Sequence, residues 1–304
     1  MPVEGNDMQR ITPNLWFNGN AAEAADFYAR VLPRTTVTHT DYYPTDGLPD
    51  FQRDMAGKEL VVEFEVDGYR FLGINAGPEF PINPSLSFML NFDPSVDAAA
   101  RDRLDEVWAA LSEDGTVLMP LGAYDFSPRY GWLQDRYGTP WQLMLTDPAG
   151  EPRPFVIPCL LFGGAAQNRA GEAVEYYTSV FPGSRVGTLV PYPEDTGPAA
   201  TGSVMFADIE LAGQWLALMD SVVEQDYSFT PGVSLMIACA DQAEIDHFWD
   251  ALSAVPEAEQ CGWCADRFGV SWQVVPGNWN EYMERPGAYQ KMLQMKKIDL
   301  AAFG

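Results

Sequence analysis

Histidine, cysteine and positive charge are the scarce features of this sequence. Its 304 residues include 2 histidines, 4 cysteines and 18 lysines and arginines, against 43 aspartates and glutamates, which gives a net charge of −25 at pH 7. The shortage of cations argues against nucleic acid as a partner, because phosphate binding depends on clustered lysine and arginine. The surplus of negative charge favours solubility and repulsion between copies.

Long apolar runs are missing as well. Glycine, proline or charge interrupts every apolar stretch before the roughly 20 residues that a bilayer requires, so we expect no membrane-spanning segment. Residues 1–5 are polar and acidic rather than basic and apolar, so we expect no signal peptide. Four cysteines without a regular framework suit a reducing compartment. Together these features predict a cytoplasmic protein.

The sequence does contain one segment, called the repeated phrase below, in two similar copies. Residues 131–142 read GWLQDRYGTPWQ and residues 262–273 read GWCADRFGVSWQ, so that Asp266 follows Asp135 by 131 positions. A self-similarity of this length indicates one unit used twice. Each phrase predicts a strand, an Asp-Arg-aromatic-Gly turn and a second strand, a short hairpin in which glycine supplies the unusual backbone angle.

The duplication extends beyond this hairpin. Residues 11–17 match residues 156–162, and a predicted helix follows each. In the first of these helices we expect Asn20 to cap the N-terminus, with Glu23 three residues later. Each copy reads strand, helix and three strands, and then the same again. Strands that outnumber helices in this way predict an α+β fold rather than a doubly wound parallel sheet.

The two copies differ in one place. Trp108 and Trp249 lie on equivalent predicted helices but 141 residues apart, so copy two has lost about ten residues before its hairpin. We infer that an edge strand of copy one is short or absent in copy two. A proline- and glycine-rich stretch separates the copies. The predicted divisions are a first domain over 8–147, a linker over 148–154, a second domain over 155–278 and a C-terminal helix over 279–304.

These patterns resemble the PhnB-like branch of the vicinal oxygen chelate superfamily, which includes glyoxalase I, bleomycin-resistance proteins and extradiol dioxygenases. The resemblance covers nearly the whole chain and rests on residues 13–17, 233–242, 261–273 and 295–299. It implies a tandem duplication of glyoxalase-like domains, built from paired βαβββ modules that form partly open barrels around a small-molecule site. Relatives are often named demethylubiquinone methyltransferase, yet the chain shows no strand, glycine-rich turn and helix suited to a nucleotide-like methyl donor.

The superfamily's chemistry uses a divalent metal held by histidine and glutamate from four strands, and the resemblance locates these positions here. In copy one they fall near Asn14, Asn75 and Ser87 and at Gln142. In copy two they fall near Cys159, Asp220 and Ser234 and at Gln273. Amides and hydroxyls, with at most one carboxylate or thiol, hold zinc or iron poorly. We therefore expect no metal and no other cofactor.

Alternation along the predicted strands selects the side chains that should point into the first barrel. The predicted ligand-binding residues of copy one are Asn14, Trp16, Asn75, Ser87, Tyr130, Trp132, Gln142 and Met144. Their equivalents in copy two are Cys159, Asp220, Ser234, Trp263 and Gln273. An aromatic lining with a few convergent amides suits a small, partly apolar ligand. Copy two, with its shortened edge, is expected to be the pairing scaffold.

Three functions stay open from the sequence. The first is a small-molecule-binding protein that works without the family's metal, and the second is a metal-dependent enzyme of isomerase, lyase or dioxygenase type. The third is a structural pseudo-dimer in which copy two stabilises copy one and no ligand binds. The expected partner is a small molecule, with neither nucleic acid nor membrane. The copies are expected to pair within the chain, with a homodimer left open.

Overall fold

Four similar units follow one another in the computed structural model, which describes residues 9–304; the predicted start of the first domain at residue 8 lies outside the described residues. Unit 1 consists of β1 (Ile11–Phe17), α1 (Ala21–Val31), β2 (Thr35–Tyr42), β3 (Glu59–Val66) and β4 (Tyr69–Asn75). Unit 2 consists of β5 (Leu86–Phe92), α2 (Ala100–Ser112), β6 (Thr116–Tyr124), β7 (Ser127–Gln134) and β8 (Pro140–Leu145). Both units therefore have the predicted βαβββ order.

Units 3 and 4 form copy two, and unit 4 is the shorter of them. Unit 3 consists of β9 (Val156–Phe162), α3 (Ala170–Val180), β10 (Arg185–Pro191), β11 (Val204–Leu211) and β12 (Gln214–Asp220). Unit 4 consists of β13 (Val233–Cys239), α4 (Gln242–Leu252), β14 (Trp263–Ala265) and β15 (Ser271–Pro276). Within residues 9–304 unit 4 has one strand fewer than the other units, which confirms the loss of an edge strand inferred from the spacing.

The C-terminal segment is not the single helix predicted over 279–304. It consists of α5 (Trp279–Met283), α6 (Ala288–Leu293) and a 3-10 turn over Leu300–Phe303. Pro286 separates the two helices, because proline cannot donate the backbone hydrogen bond that a continuous helix needs. Gly287 follows it with a φ of +72°, a conformation that glycine adopts without penalty.

The strands form two mixed, open sheets, and each sheet takes one unit from each copy. The seven-stranded sheet has the order β14-β15-β13-β1-β4-β3-β2, and the eight-stranded sheet has the order β10-β11-β12-β9-β5-β8-β7-β6. Antiparallel pairing of β1 with β13 places Asn14 opposite Ser234, and pairing of β5 with β9 places Ser87 opposite Cys159. The α+β fold of tandem glyoxalase-like domains is thus confirmed, and both inner faces are shared between the copies.

The core lies on the helix side of the sheets and joins the two units within each copy. In copy one the ring of Tyr28, on α1, contacts Trp141 on β8 at 5.3 Å, and Phe71 on β4 contacts Phe88 on β5 at 4.9 Å. Large aromatic side chains of this kind contribute much of the apolar area that folding buries. Each copy is therefore one packing unit, although its strands belong to two sheets.

The repeated Asp-Arg-aromatic-Gly turn fastens the two units of a copy together. In copy one, Asp135 is buried in the turn between β7 and β8. Its Oδ1 accepts from the backbone N–H groups of Tyr137 and Thr139 at 2.8 and 3.0 Å. Its Oδ2 accepts from the Tyr28 hydroxyl on α1 and from the Trp141 indole, both at 2.8 Å. One carboxylate thus holds the turn, the following strand and the helix of the other unit.

Copy two repeats this arrangement with Asp266. Its Oδ1 accepts from the backbone N–H groups of Phe268 and Val270, and its Oδ2 accepts from the Tyr177 hydroxyl at 2.7 Å and the Trp272 indole at 2.9 Å. A buried carboxylate with all its acceptor sites occupied by the protein's own donors has a structural role. The repeated turn therefore has the same structural role in both copies, which is to link the two units of each copy.

Candidate functional site

The predicted copy-one residues do not meet in one site, because the sheets divide them. Asn14 and Trp16 lie on the inner face of the seven-stranded sheet, the face turned away from the helices, together with the copy-two residues Ser234, Trp263 and Gln273. The inner face of the eight-stranded sheet carries the remaining inward-facing predicted residues, namely Ser87, Tyr130, Trp132, Gln142, Met144 and Cys159.

Asn75 and Asp220 point to the helix side instead of the inner face, so their predicted place in the ligand site is wrong. Asn75 Oδ1 accepts from Ala21 N at 3.0 Å, and Asp220 Oδ1 accepts from Ala170 N at 3.2 Å. These bonds satisfy free N–H groups in the first turns of α1 and α3. Asn20 holds the N-cap position of α1, but its side chain makes no capping hydrogen bond. The side chain that caps this helix is therefore that of Asn75 on β4, and not that of Asn20 as predicted.

The inner face of the eight-stranded sheet is filled by its own side chains. The Tyr130 hydroxyl donates to Gln142 Oε1 at 2.7 Å, and Gln142 Nε2 donates to Ser87 Oγ at 2.7 Å. Around this chain of bonds lies an apolar cluster of Met89, Ile157, Cys159 and Ala217, flanked by Met144, Phe206, Trp215 and Met219. The amide of Gln142 is thus bonded at both atoms, although the buried Trp132 Nε1 of the same face has no acceptor within residues 9–304.

The inner face of the seven-stranded sheet has the same polar positions but incomplete bonding. Gln273 Nε2 donates to Ser234 Oγ at 2.9 Å, as in the other sheet. Within residues 9–304, however, no donor reaches Gln273 Oε1, and Asn14 Oδ1 is buried without a partner. An unmet buried acceptor costs roughly 1–3 kcal/mol, so such a group requires an explanation.

Aromatic rings lie beside these unmet acceptors. The ring of Trp16 contacts that of Trp263 at 5.8 Å and that of Phe80 at 5.0 Å. A cavity of about 310 Å³ is lined by Trp16 and Phe80 together with Tyr137 of the Asp135 turn, and neither Asn14 nor Gln273 lines it. Phe80, in the loop between β4 and β5, was not predicted from the sequence, because alternation identifies facing residues only within strands.

Arg70 and Thr12 are further residues of this face that sequence reasoning missed. Arg70 Nη2 donates to Thr12 Oγ1 at 3.3 Å, and Arg70 Nε is buried without an acceptor in the described part of the chain. Arg70 precedes Leu72 by two residues, and Leu72 lies beside Asn14 across β1 and β4. Alternation from Asn14 could have found Thr12, and the same rule applied along β4 could have found Arg70.

The C-terminal segment spans the opening of the seven-stranded sheet alone. At the β14 edge, Cys261 N donates to Met295 O at 2.8 Å. Toward the β2 edge, the Tyr289 hydroxyl donates to Gln52 Oε1 at 3.0 Å, and Gln52 lies in the loop between β2 and β3. The segment therefore links the two edges of one sheet and makes the two inner faces unequal.

The side chains on both inner faces do not fit the divalent metal that the resemblance implies. The two sheets offer Asn14, Ser234 and Gln273 on one face and Cys159, Ser87 and Gln142 on the other. Across residues 9–304, no three histidine, cysteine, aspartate or glutamate side chains lie close enough to share a metal ion. Neutral amides and hydroxyls supply neither the charge nor the basicity that zinc or iron requires.

The four cysteines provide a direct test of which face is closed. Burial raises the pKa of Cys159, Cys239 and Cys264 to about 12, whereas Cys261 is partly exposed. Since the thiolate is the nucleophile, we expect iodoacetamide at pH 8 to alkylate Cys261 alone in the folded protein and all four cysteines in urea. Peptide mass spectrometry measures this, and native labelling of Cys159 would contradict a closed eight-stranded face.

Comparison with known proteins agrees with the two-copy architecture. The family described as 3-demethylubiquinone-9 3-methyltransferase matches residues 9–144 and again residues 154–275. A PhnB protein from Bacillus cereus is 31% identical, covering 45% of this chain and 100% of that chain, with a TM-score of 0.39. Glyoxalase I from Zea mays is 10% identical, covering 96% of this chain and 97% of that chain, with a TM-score of 0.56.

The maize enzyme shares the fold of the whole chain, whereas the Bacillus protein corresponds to a single copy. A search of curated proteins finds no match. No helix in the described residues is both long and apolar enough to cross a membrane. Because the family matches both copies over most of the sequence, this chain belongs to the PhnB-like 3-demethylubiquinone-9 3-methyltransferase family of glyoxalase-fold proteins, as a tandem duplication.

Proposed function

We propose that this chain binds a small, partly apolar molecule on the inner face of the seven-stranded sheet, without a metal. The observation that carries the proposal is the buried Asn14 Oδ1, which has no donor within residues 9–304. Gln273 Oε1, also without a donor there, adds a second acceptor, and Trp16 and Trp263 add aromatic surface. Few polar groups on an apolar lining are typical of small-molecule sites.

The eight-stranded sheet would then be the scaffold. Its inner face satisfies its own amide through Tyr130 and Ser87 and fills the remaining space with methionine and other apolar side chains. The proposed ligand then lies on a face to which both copies contribute, rather than in copy one alone. The sequence left open a structural pseudo-dimer that binds no ligand. The filled inner face of the eight-stranded sheet supports that alternative for this sheet only.

An enzymatic function through the superfamily's metal is the weaker reading. At the family's metal positions on the inner faces, amides, hydroxyls and one thiol would have to hold a divalent ion. The carboxylates of the seven-stranded inner face, Glu63 and Glu65, lie on β3 instead. For the compartment we propose the cytoplasm, since the four free cysteines suit a reducing environment. The net charge of −25 argues against nucleic acid, so the proposed partner is the small molecule alone.

The binding proposal is tested by thermal shift in the presence of a chelator. We expect at least one compound from a panel of small aromatic and alicyclic metabolites to raise the Tm by several degrees, because a ligand that binds only the folded state stabilises it. Gln273→Leu should remove this shift. The equivalent variant on the filled face, Gln142→Leu, should retain it although its own Tm is lower.

Two outcomes would sink the proposal. One is a shift that disappears with the chelator, which would assign the site to a metal. The other is a shift that depends on Gln142 and not on Gln273, which would place the ligand on the eight-stranded sheet.

A further inference from the structure

The two inner faces differ at one position that determines whether the glutamine amide is satisfied. The repeated phrase aligns Tyr130-Gly131-Trp132 with residues 261–263, but Tyr130 lies within β7, whereas Cys261 (φ +54°) and Gly262 (φ +86°) form a tight turn before β14. On the eight-stranded sheet the Tyr130 hydroxyl donates to Gln142 Oε1 at 2.7 Å. On the seven-stranded sheet this turn carries no phenol, and Gln273 Oε1 has no hydrogen-bond donor within residues 9–304.

No other tyrosine takes the place of the missing phenol. Tyr289 is the aromatic residue that the C-terminal segment brings toward this end of the sheet, but its hydroxyl donates to Gln52 Oε1 at 3.0 Å. Tyr43, which contacts the Tyr289 ring at 6.4 Å, donates its hydroxyl to Asn75 O at 2.7 Å. In the described part of the chain, no tyrosine therefore supplies a donor to Gln273 Oε1.

The hydrogen bond of Tyr130 on the eight-stranded sheet indicates which kind of group would satisfy Gln273 on the seven-stranded sheet. Burial raises the pKa of Tyr130, so its phenol stays uncharged and donates a hydrogen bond to an amide oxygen within an apolar surround. Trp16, Phe80 and Trp263 give the open face an aromatic lining suited to a flat ring. Asn14 Oδ1 is buried without a donor, and Gln273 Oε1, which no protein group reaches in the described residues, is free to accept one.

We propose that the ligand is an aromatic molecule with an uncharged O–H or N–H donor, seated on the seven-stranded sheet where the Tyr130 ring sits on the other. Its donor binds Gln273 Oε1, which makes Gln273 the residue that determines specificity. This inference rests on the proposed function, since it names the chemical class of the molecule bound at the same face.

The test compares 4-ethylphenol with 4-ethylanisole, which has nearly the same shape but no O–H donor, by isothermal titration calorimetry. One uncharged hydrogen bond corresponds to a factor of roughly 3 to 10 in affinity, so the phenol should bind wild-type protein tighter by about this factor. Gln273→Leu should bring the two affinities together. The matched variant Gln142→Leu should keep the preference for the phenol.

The outcomes separate this inference from the proposed function. If the two probes bind equally and Trp16→Ala weakens both, the binding face stands and the donor requirement is wrong. If neither probe binds at millimolar concentration while another compound shifts the Tm through Gln273, the chemical class is wrong. If no compound binds in either experiment, both proposals fail.

A reciprocal experiment uses the eight-stranded sheet. Tyr130→Gly removes the phenol from the filled face and should lower the Tm by several degrees, because an aromatic side chain and its hydrogen bond are lost. Added phenol should restore part of the loss, and toluene should restore less because it cannot donate to Gln142. If toluene restored the Tm as much as phenol does, the space left by Tyr130 would select ligands by shape alone, and the donor requirement would be wrong.

Discussion

Replacing Asp135 with asparagine is expected to lower the free energy of unfolding by roughly 2–5 kcal/mol. The carboxylate accepts two bonds at each oxygen, and asparagine keeps only one oxygen. The Tyr28 hydroxyl can instead donate to Thr139 Oγ1, 2.8 Å away, and accept from the new amide, so at least one buried donor, the Trp141 indole or a backbone N–H, is left without an acceptor. That donor costs about 1–3 kcal/mol, and the remaining bonds lose the charge of the carboxylate, which together account for the expected loss.

Urea unfolding of Asp135→Asn and Asp266→Asn measures the effect. Asp266→Asn should lose at least as much stability, because Val270 stands where copy one has Thr139 and gives the Tyr177 hydroxyl no second side-chain acceptor. Asp105→Asn is the matched control. Asp105 pairs with Arg129 at 2.7 Å but is 41% exposed, so its loss should stay below about 1 kcal/mol. An Asp135→Asn protein with the wild-type unfolding midpoint would contradict the structural role of the repeated turn.

The order of helices and strands was predictable because its signals are local. Alternation of apolar residues and the glycine turn at Gly138, with a φ of +87°, depend only on neighbouring residues. Comparison of the copies then revealed the missing strand of unit 4, since a deletion changes the spacing between matched residues. These features follow from the sequence without any knowledge of which strands pair.

The pairing of units was not predictable by the same means. The alternation of β1 is the same whether its neighbour is β13 or a strand of its own copy, because the side-chain period carries no information about the partner. Asn14 and Ser87 were therefore assigned to one barrel, although they lie on different sheets. Only the register of β1 with β13 and of β5 with β9 reveals that each inner face belongs to both copies.

A second limit of prediction from the sequence concerns which face of a sheet the last residue of a strand points to. Asn75 lies at the last residue of β4 on the same face as Phe71 and Gly73, so strict alternation assigns it to the helix side. The resemblance located the family's metal position only to within a residue or two, and such a shift reverses the face of a strand. The position at Gln142 was secure because the repeated phrase fixes its register against Trp141.

Replacing Asn14 with leucine is expected to raise the free energy of unfolding by roughly 1–2 kcal/mol, against the usual direction of core substitutions. Asn14 is 3% exposed, and its Oδ1 has no partner within residues 9–304, so the folded state carries an unmet desolvation cost. Leucine has the same branched arrangement of four side-chain heavy atoms and removes that cost. Asparagine at this position is therefore retained at the expense of stability, as is common where a residue serves binding.

The matched control is Asn75→Leu, which should instead lower the free energy of unfolding by roughly 2–4 kcal/mol. Asn75 is buried to a similar degree, but its Oδ1 accepts from Ala21 N and its Nδ2 donates to Glu59 O, so leucine leaves two backbone groups unmet. Urea unfolding of both variants should therefore give shifts of opposite sign. If Asn14→Leu lost stability as Asn75→Leu does, Asn14 would be a structural residue, and the case for a ligand on this face would fall with it.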